Sequence, residues 1–180
     1  MILVVEGTDC AGKGTICSLL ADALGALLYK TPPECMRAEQ DMVNATASDV
    51  DHYHYFVRVV RQASEEIAVL AKERNIVVDR YWMTTVAYHR AMGLPAKIED
   101  IGDIVMPDRT VYLTVSPEVQ DRRMAHRGMS PGDIRMKDKQ RLIRAEYEEV
   151  ISGRSDVIRV DTSNLAPEEI VTLILEELHL

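Results

Sequence analysis

The chain has 180 residues, of which 47% are hydrophobic and 28% are charged, which is enough apolar material for one buried core. Its 21 Lys and Arg against 29 Asp and Glu give a formal net charge of -8. This balance disfavours a protein that holds nucleic acid through non-specific phosphate contacts. We therefore expect a single domain over residues 1–180, in which any polyanion site concentrates its positive charge locally.

The cysteines and the apolar runs indicate in which cellular compartment the protein is expected. Cys10, Cys17 and Cys35 form no CxxC pair and lack histidines at ligand spacing, so the pattern predicts neither a zinc site nor a disulfide framework. We expect no targeting segment before the first apolar run, and no run has the length of a membrane span. We expect a cytoplasmic protein with no membrane contact.

Five β-type runs alternate with helical segments along the chain. The first run ends at a glycine-rich loop, and apolar residues then recur at helical spacing until Gly25. A stretch without Pro or Gly, 49–74, predicts a long helix, and Ser116-Pro117 predicts the start of another. The predicted strands cover 2–5, 26–29, 75–79, 110–115 and 157–160, and the closing helix covers 166–178. This alternation predicts a three-layer α/β fold, a five-stranded parallel sheet flanked by helices, with ligands beyond the carboxyl ends of the strands.

The loop after the first strand has the spacing of a phosphate-binding loop: Gly, four residues, then Gly-Lys. Glycines at these positions let the backbone amides point at phosphate groups, and the lysine reaches the β- and γ-phosphates. The position between a strand and a helix adds the positive end of the helix dipole. We therefore predict that ATP is bound by Gly7, Thr8, Asp9, Cys10, Ala11, Gly12, Lys13, Gly14 and Thr15.

One position of this loop departs from the usual pattern. Gly14 follows the lysine where a Ser or Thr hydroxyl normally contacts Mg²⁺, and Thr15 comes one residue late. The Gly-Lys-Gly-Thr form resembles adenylate-kinase loops. Asp79 ends a predicted buried strand at the same edge of the sheet, so we hypothesise that it holds Mg²⁺ through water.

Two further features of the sequence could supply positively charged side chains to the predicted phosphate-binding site. Arg80 follows Asp79 and is suited to bind a phosphate group. Eight of the 21 Lys and Arg lie between Gln120 and Arg144, interrupted by a break at 128–132. We interpret residues 123–138 as a short lid. Alternatively, Arg80 forms a structural salt bridge and the basic residues are a solvated helix face.

At this point the chain resembles the thymidylate kinase family of nucleoside monophosphate kinases. The matching segments are Glu6 to Asp9, Asp79-Arg80-Tyr81 with Thr84, Ala87 and Tyr88, Pro107-Asp108, Val115 to Glu118, and Arg127-Gly128. The segments 30–33, 79–82 and 113–118 look most like the mitochondrial UMP-CMP kinase branch. The resemblance implies that the γ-phosphoryl group of ATP is transferred, with Mg²⁺, to a pyrimidine nucleoside monophosphate. It also implies a homodimer packed through helices near residues 49–74.

The resemblance also implies roles for single residues. Lys13 and Arg80 would be catalytic, and the acceptor nucleotide would contact Asp9, Lys30, Phe56, Arg58, Arg80 and Tyr88. Arg61 and His54 are alternatives to Arg58 and Phe56. Because Cys10 occupies the loop position at which some family members carry a transition-state arginine, the lid would supply that arginine. Arg127 and Arg135 are the candidates, and Arg123 would pack on the adenine.

Several alternatives stay open. The acceptor is dTMP in one reading and UMP, CMP or a deoxy form in another, since the base-reading region around residues 52–62 aligns insecurely. A regulatory NTP-binding switch, or a kinase for a non-nucleotide acceptor, would share the phosphate loop. The five histidines have no common metal-ligand spacing and are interpreted as solvated or core residues.

Overall fold

A computed structural model describes residues 1–180 and contains one sheet of five parallel strands. The strands are β1 (Ile2–Gly7), β2 (Leu27–Lys30), β3 (Ile76–Asp79), β4 (Arg109–Thr114) and β5 (Val157–Asp161). Their order in the sheet is β2-β3-β1-β4-β5. The predicted fold class and all five predicted strands are confirmed; β1 ends two residues later than predicted, and the other strand ends differ by at most one residue.

Eight helices cover the two faces of the sheet. Every residue of β1 is buried, and successive side chains point to opposite faces, so Val4 packs in one apolar cluster while Leu3 and Val5 pack in the other. No helix is long and apolar enough to cross a membrane. The helices are α1 (Lys13–Ala23), α2 (Glu34–Thr46), α3 (Asp49–Leu70), α4 (Trp82–Ala91), α5 (Pro117–Arg127), α6 (Pro131–Met136), α7 (Gln140–Ile151) and α8 (Pro167–Glu177).

The strand order brings distant segments together at one edge of the sheet. Strand β1 pairs with β3 on one side and with β4 on the other, and Val5 lies in register with Asp79. The Arg80 amide donates a hydrogen bond to the Val5 carbonyl, at 3.0 Å. The loop after β1 and the segment after β3 therefore meet beyond the carboxyl ends of the strands, where ligands bind in open parallel sheets.

Candidate active site

The loop between β1 and α1 has the backbone geometry that an anion site requires. Gly7 has a φ of 150°, and a Cβ there would lie 2.5 Å from the Leu113 carbonyl oxygen. Gly12, at the N-cap of α1, has a φ of 92°, and no side chain caps this helix. The amides of the first turn of α1 are therefore free to donate to phosphate oxygens, assisted by the helix dipole.

Lys13 lies buried beneath the loop. Its Nζ donates to the Thr8 carbonyl oxygen at 2.6 Å. Burial and, after it, the neighbouring Arg80 guanidinium lower the pKa of Lys13 to about 8, even though the Asp9 and Asp79 carboxylates oppose the shift. The ammonium is charged at neutral pH, and it is held where phosphate oxygens would replace the loop carbonyl as its partner.

Arg80 and Asp9 form an ion pair across the site. Arg80 Nη2 lies 2.6 Å from Asp9 Oδ1, with 24% and 12% of the two side chains exposed. Arg80 Nη1 donates to the Gly7 carbonyl at 3.3 Å and to the Tyr88 hydroxyl at 3.3 Å. Burial works to raise the pKa of Asp9, but the charges of Arg80 and Lys13 outweigh it, and the pKa is lowered. A negative carboxylate and two cations thus share the edge of the sheet.

A buried carboxylate, Glu6, supports this arrangement from below. It accepts hydrogen bonds from the backbone amides of Tyr81 at 3.0 Å and Thr84 at 3.3 Å, and from the hydroxyls of Thr84 and Tyr147. Burial raises the pKa of Glu6. Because the two amide donors lie directly after Arg80 and at the start of α4, Glu6 fixes the backbone that follows Arg80, whose φ is 67°.

Two glutamines hold Asp9 from the opposite side. Gln120 on α5 donates to the Asp9 carbonyl at 2.7 Å, and Gln140 on α7 donates to Asp9 Oδ2 at 3.2 Å. Gln120 also donates to Gln140 and accepts from Arg144. Both oxygens of the Asp9 carboxylate therefore have fixed partners, and the carboxylate is pre-oriented.

A cavity of about 240 Å³ opens from this ion pair. One end is formed by Asp9, Arg80 and Tyr88, and the other by polar and aromatic side chains of α2 and α3. The segment around α6 covers it. The remaining lining residues are Gln40, Asn44, His52, Phe56, Thr84, Arg127, Ser130, Gly132, Asp133 and Met136.

The lid segment, residues 123–138, has the break that the sequence predicted at 128–132: residues 128–130 are irregular, and the short helix α6 begins at Pro131. Ser130 and Asp133 cap α6 reciprocally. Arg127 lines the cavity and pairs with Asp133 at 2.6 Å. Arg135 instead donates to the Ala47 carbonyl at 2.9 Å and pairs with Asp49 at 2.5 Å, so it ties the lid segment to α2 and α3.

Comparison with known proteins identifies the family. The sequence model described as thymidylate kinase matches residues 5–174. The chain belongs to the thymidylate kinase family. Its predicted activity, ATP-dependent phosphorylation of a nucleoside monophosphate in the manner of thymidylate kinases, is thereby confirmed, and ATP and a nucleoside monophosphate are its implied substrates.

Individual relatives of this thymidylate kinase family member span most of its length. The thymidylate kinase of Coprothermobacter proteolyticus is 28% identical over 200 residues, which cover 100% of both chains. A putative adenylate kinase of Pyrococcus abyssi is 28% identical over 97% of this chain and 82% of its own.

Solved structures share the fold. A thymidylate kinase from Candida albicans, whose report describes broad substrate specificity, has a TM-score of 0.82 at 19% identity, covering 99% of this chain and 90% of its own. A deoxyadenosine kinase from M. mycoides with dCMP bound has a TM-score of 0.78 at 19% identity, covering 99% of each chain.

Other residues that the family resemblance singled out lie at varying distances from the cavity. Arg123 donates to the carbonyls of Cys10 and Thr162, so its guanidinium lies against the phosphate loop. Arg58 pairs with Glu39 and does not line the cavity. It follows Phe56 by two residues, or about 200° around the helix, and therefore faces away from the cavity lined by Phe56. Lys30 is exposed at the end of β2 and does not line the cavity.

Asp79 lies next to the phosphate loop. A Cβ on Gly14 would stand 3.9 Å from Asp79 Oδ2, and no side-chain hydrogen bond engages this carboxylate. No group of three or more His, Cys, Asp or Glu side chains is arranged to hold a metal ion. A single free carboxylate facing the phosphate site suits Mg²⁺, which keeps several waters and binds phosphate oxygens as well.

Sequence reasoning missed several of the groups that line the cavity or hold Asp9 beside it. Gln40, Asn44, Gln120 and Gln140 are uncharged amides in no motif, and His52 was interpreted as a solvated or core residue. The only available signal for His52 was its spacing of four residues from Phe56, which places both on one face of α3.

Proposed function

We propose that this member of the thymidylate kinase family transfers the γ-phosphoryl group of ATP to a pyrimidine nucleoside monophosphate bound in the 240 Å³ cavity. The observation that carries the proposal is the ion pair of Asp9 and Arg80, which joins the phosphate loop to that cavity. A nucleotide in the cavity would meet a guanidinium at its phosphate and the Asp9 carboxylate at its sugar.

The chemistry requires positioning rather than an activated nucleophile. A phosphate monoester has a second pKa of about 6, so the acceptor oxygen is already a competent nucleophile at neutral pH. Lys13 and the free amides of α1 would hold the β- and γ-phosphates, and Arg80 would hold the acceptor phosphate in line. Arg127 would approach the transferring group from the lid segment.

Magnesium is part of the same proposal. Asp79 would hold the ion through water, beside Gly14 and the phosphate oxygens. The ion supplies charge neutralisation across the β- and γ-phosphates. The lid segment would exclude water from the site, so that ATP is not hydrolysed without transfer.

Variants of Arg80 test the assignment. Arg80→Gln removes the guanidinium that would bind the acceptor phosphate, and we expect kcat/KM for the acceptor to fall at least about a hundredfold. Arg109→Gln is the matched control, because Arg109 starts β4 at the opposite end of the sheet. Equal activity of the two variants in a coupled ADP-release assay would reject the role given to Arg80.

Assembly and compartment belong to the proposal as well. The dimer that the family resemblance implies would pack through α3, on which the apolar Val69 side chain is 62% exposed. Sedimentation at assay concentration should give twice the chain mass of 20.3 kDa, and a monomer would reject the dimer. Reduced cysteines favour the cytoplasm, and residues 1–180 would act as one kinase domain.

A further inference from the structure

A chain of hydrogen bonds ends at the part of the cavity that lies away from Asp9 and Arg80. The Thr85 carbonyl lies 2.6 Å from His89 Nδ1, and His89 Nε2 lies 2.8 Å from His52 Nδ1. His52 Nε2 in turn lies 3.0 Å from the side-chain oxygen of Asn44. His89 is buried and does not line the cavity, whereas His52 and Asn44 do.

The inner end of this chain fixes the direction of every hydrogen bond in it. A carbonyl oxygen only accepts, so His89 Nδ1 must carry the proton that Thr85 receives. Burial lowers the pKa of His89 to about 4 and, together with His89, that of His52 to about 3, so both rings are neutral near pH 7. His89 Nε2 therefore accepts, His52 Nδ1 donates to it, and His52 Nε2 is left with a lone pair.

Asn44 must therefore donate a hydrogen bond to the lone pair of His52 Nε2. Its side-chain oxygen cannot bond to an unprotonated nitrogen, but a half-turn of the carboxamide presents the NH₂ group instead. The half-turn places the Asn44 oxygen where its amide nitrogen now lies. That position faces Gly132, because a Cβ on Gly132 would lie 3.3 Å from the present amide nitrogen. Gly132 also lines the cavity, so this end of the wall carries a fixed acceptor.

The position of this acceptor matches one atom of a pyrimidine. In a pyrimidine nucleotide the ring carbon C4 lies opposite the nitrogen that carries the sugar. With the sugar beside Asp9 and Tyr88, the C4 substituent would point toward Asn44, His52 and Phe56, which line the same cavity. An amino group there would donate a hydrogen bond to the Asn44 oxygen. A keto group would instead place its acceptor oxygen against the Asn44 acceptor oxygen, and no hydrogen bond could form. Gln40 forms no side-chain hydrogen bond and can present either end of its amide, so it does not discriminate.

We propose that Asn44, oriented by His52 and His89, selects acceptor nucleotides whose base carries a 4-amino group over those with a 4-keto group, which makes cytidine monophosphates the preferred pyrimidine acceptors. The inference rests on the proposed function and refines it. Asn44 contacts the base, while His52 and His89 are positioning residues, and His89 acts entirely through His52.

The test compares dCMP with dUMP, which differ at the 4-position and in the protonation of N3. We expect kcat/KM to favour dCMP by about ten- to hundredfold, the discrimination typical of a buried acceptor left facing another acceptor. His52→Gln and His89→Gln each free the Asn44 carboxamide to turn, and the ratio should fall to within about threefold of one. Phe56→Leu is the control: it weakens both substrates and leaves the ratio unchanged.

The outcomes are separable from those of the kinase assignment. Titration calorimetry of the two nucleotides with wild-type protein measures the same preference without turnover, even if a variant fails to fold. A wild-type preference for dUMP, equal binding of both, or a ratio unchanged in both histidine variants would overturn the inference. Absence of turnover with every monophosphate would reject the proposed function instead.

Discussion

The buried ion pair of Asp9 and Arg80 makes a quantitative prediction for Asp9→Asn. The substitution keeps the shape of the side chain but leaves the guanidinium beside a neutral amide. Removing one partner of a buried ion pair costs about 3 to 5 kcal/mol. Because 24% of Arg80 remains exposed to solvent in the cavity, we expect a loss below that range, about 2 to 3 kcal/mol of unfolding free energy.

Urea unfolding followed by circular dichroism at pH 7 measures this loss. The double variant with Arg80→Gln completes a cycle, and the two residues should couple by about 1 to 3 kcal/mol because each substitution removes the same contact. A loss below about 0.5 kcal/mol for Asp9→Asn, or a coupling energy near zero, would refute the view that this pair stabilises the empty site.

The same pair also gives a pH dependence. The pKa of Asp9 is lowered in the folded protein from an unfolded value of 3.8, so the pair stabilises the fold fully above the unfolded pKa. This contribution is lost as the pH falls through the lower folded pKa. The stability difference between wild type and Asp9→Asn should therefore be constant above about pH 5 and shrink below the unfolded value.

Four further predictions concern the neighbouring groups. Asp79→Asn should raise the Mg²⁺ concentration needed for half-maximal activity several-fold; an unchanged metal titration would count against its role. Glu6→Ala leaves two buried backbone amides without partners and should cost about 2 to 6 kcal/mol in urea unfolding, well above Glu6→Gln. Arg135→Gln should cost about 1 to 2 kcal/mol and speed proteolytic cleavage within residues 128–130, since it unties the lid segment; unchanged cleavage would contradict this. The pKa values of His52 and His89, about 3 and about 4, lie below the ordinary 6.5, so their contribution to stability is present above pH 6.5 and is lost as the pH falls toward 4. Replacing both histidines by Gln should make the urea midpoint of unfolding less dependent on pH between 6.5 and 4.

The sheet was predictable because apolar runs bounded by glycine, proline and acidic residues have few other interpretations. Helix α4 was not predicted, since eight of its ten residues are buried and no amphipathic pattern remains. Helix α2 was missed as well, because the prolines before it were interpreted only as the end of a strand. The long third helix was predicted from its first residue, Asp49, and ends four residues before Arg74.

The candidate site divides in the same way. Asp9, Lys13 and Arg80 could be predicted together because the order of parallel strands brings the ends of β1 and β3 to one edge. Gln140 lies 131 residues from Asp9 in sequence and belongs to no motif, so only the packing of α7 reveals it. The His52 and His89 pair likewise depends on how α3 packs against α4, which residue spacing within one helix does not encode.

The most direct test of the account is coupled ADP release from Mg·ATP by the wild-type chain with dTMP, dUMP, UMP, CMP, dCMP, AMP and GMP. We predict that the pyrimidine monophosphates stimulate release and that Lys13→Ala, while retaining its fold by circular dichroism, abolishes it. No stimulation by any of these nucleotides, or full activity in Lys13→Ala, would contradict the central claim that the phosphate loop and the adjoining cavity form one two-substrate kinase site.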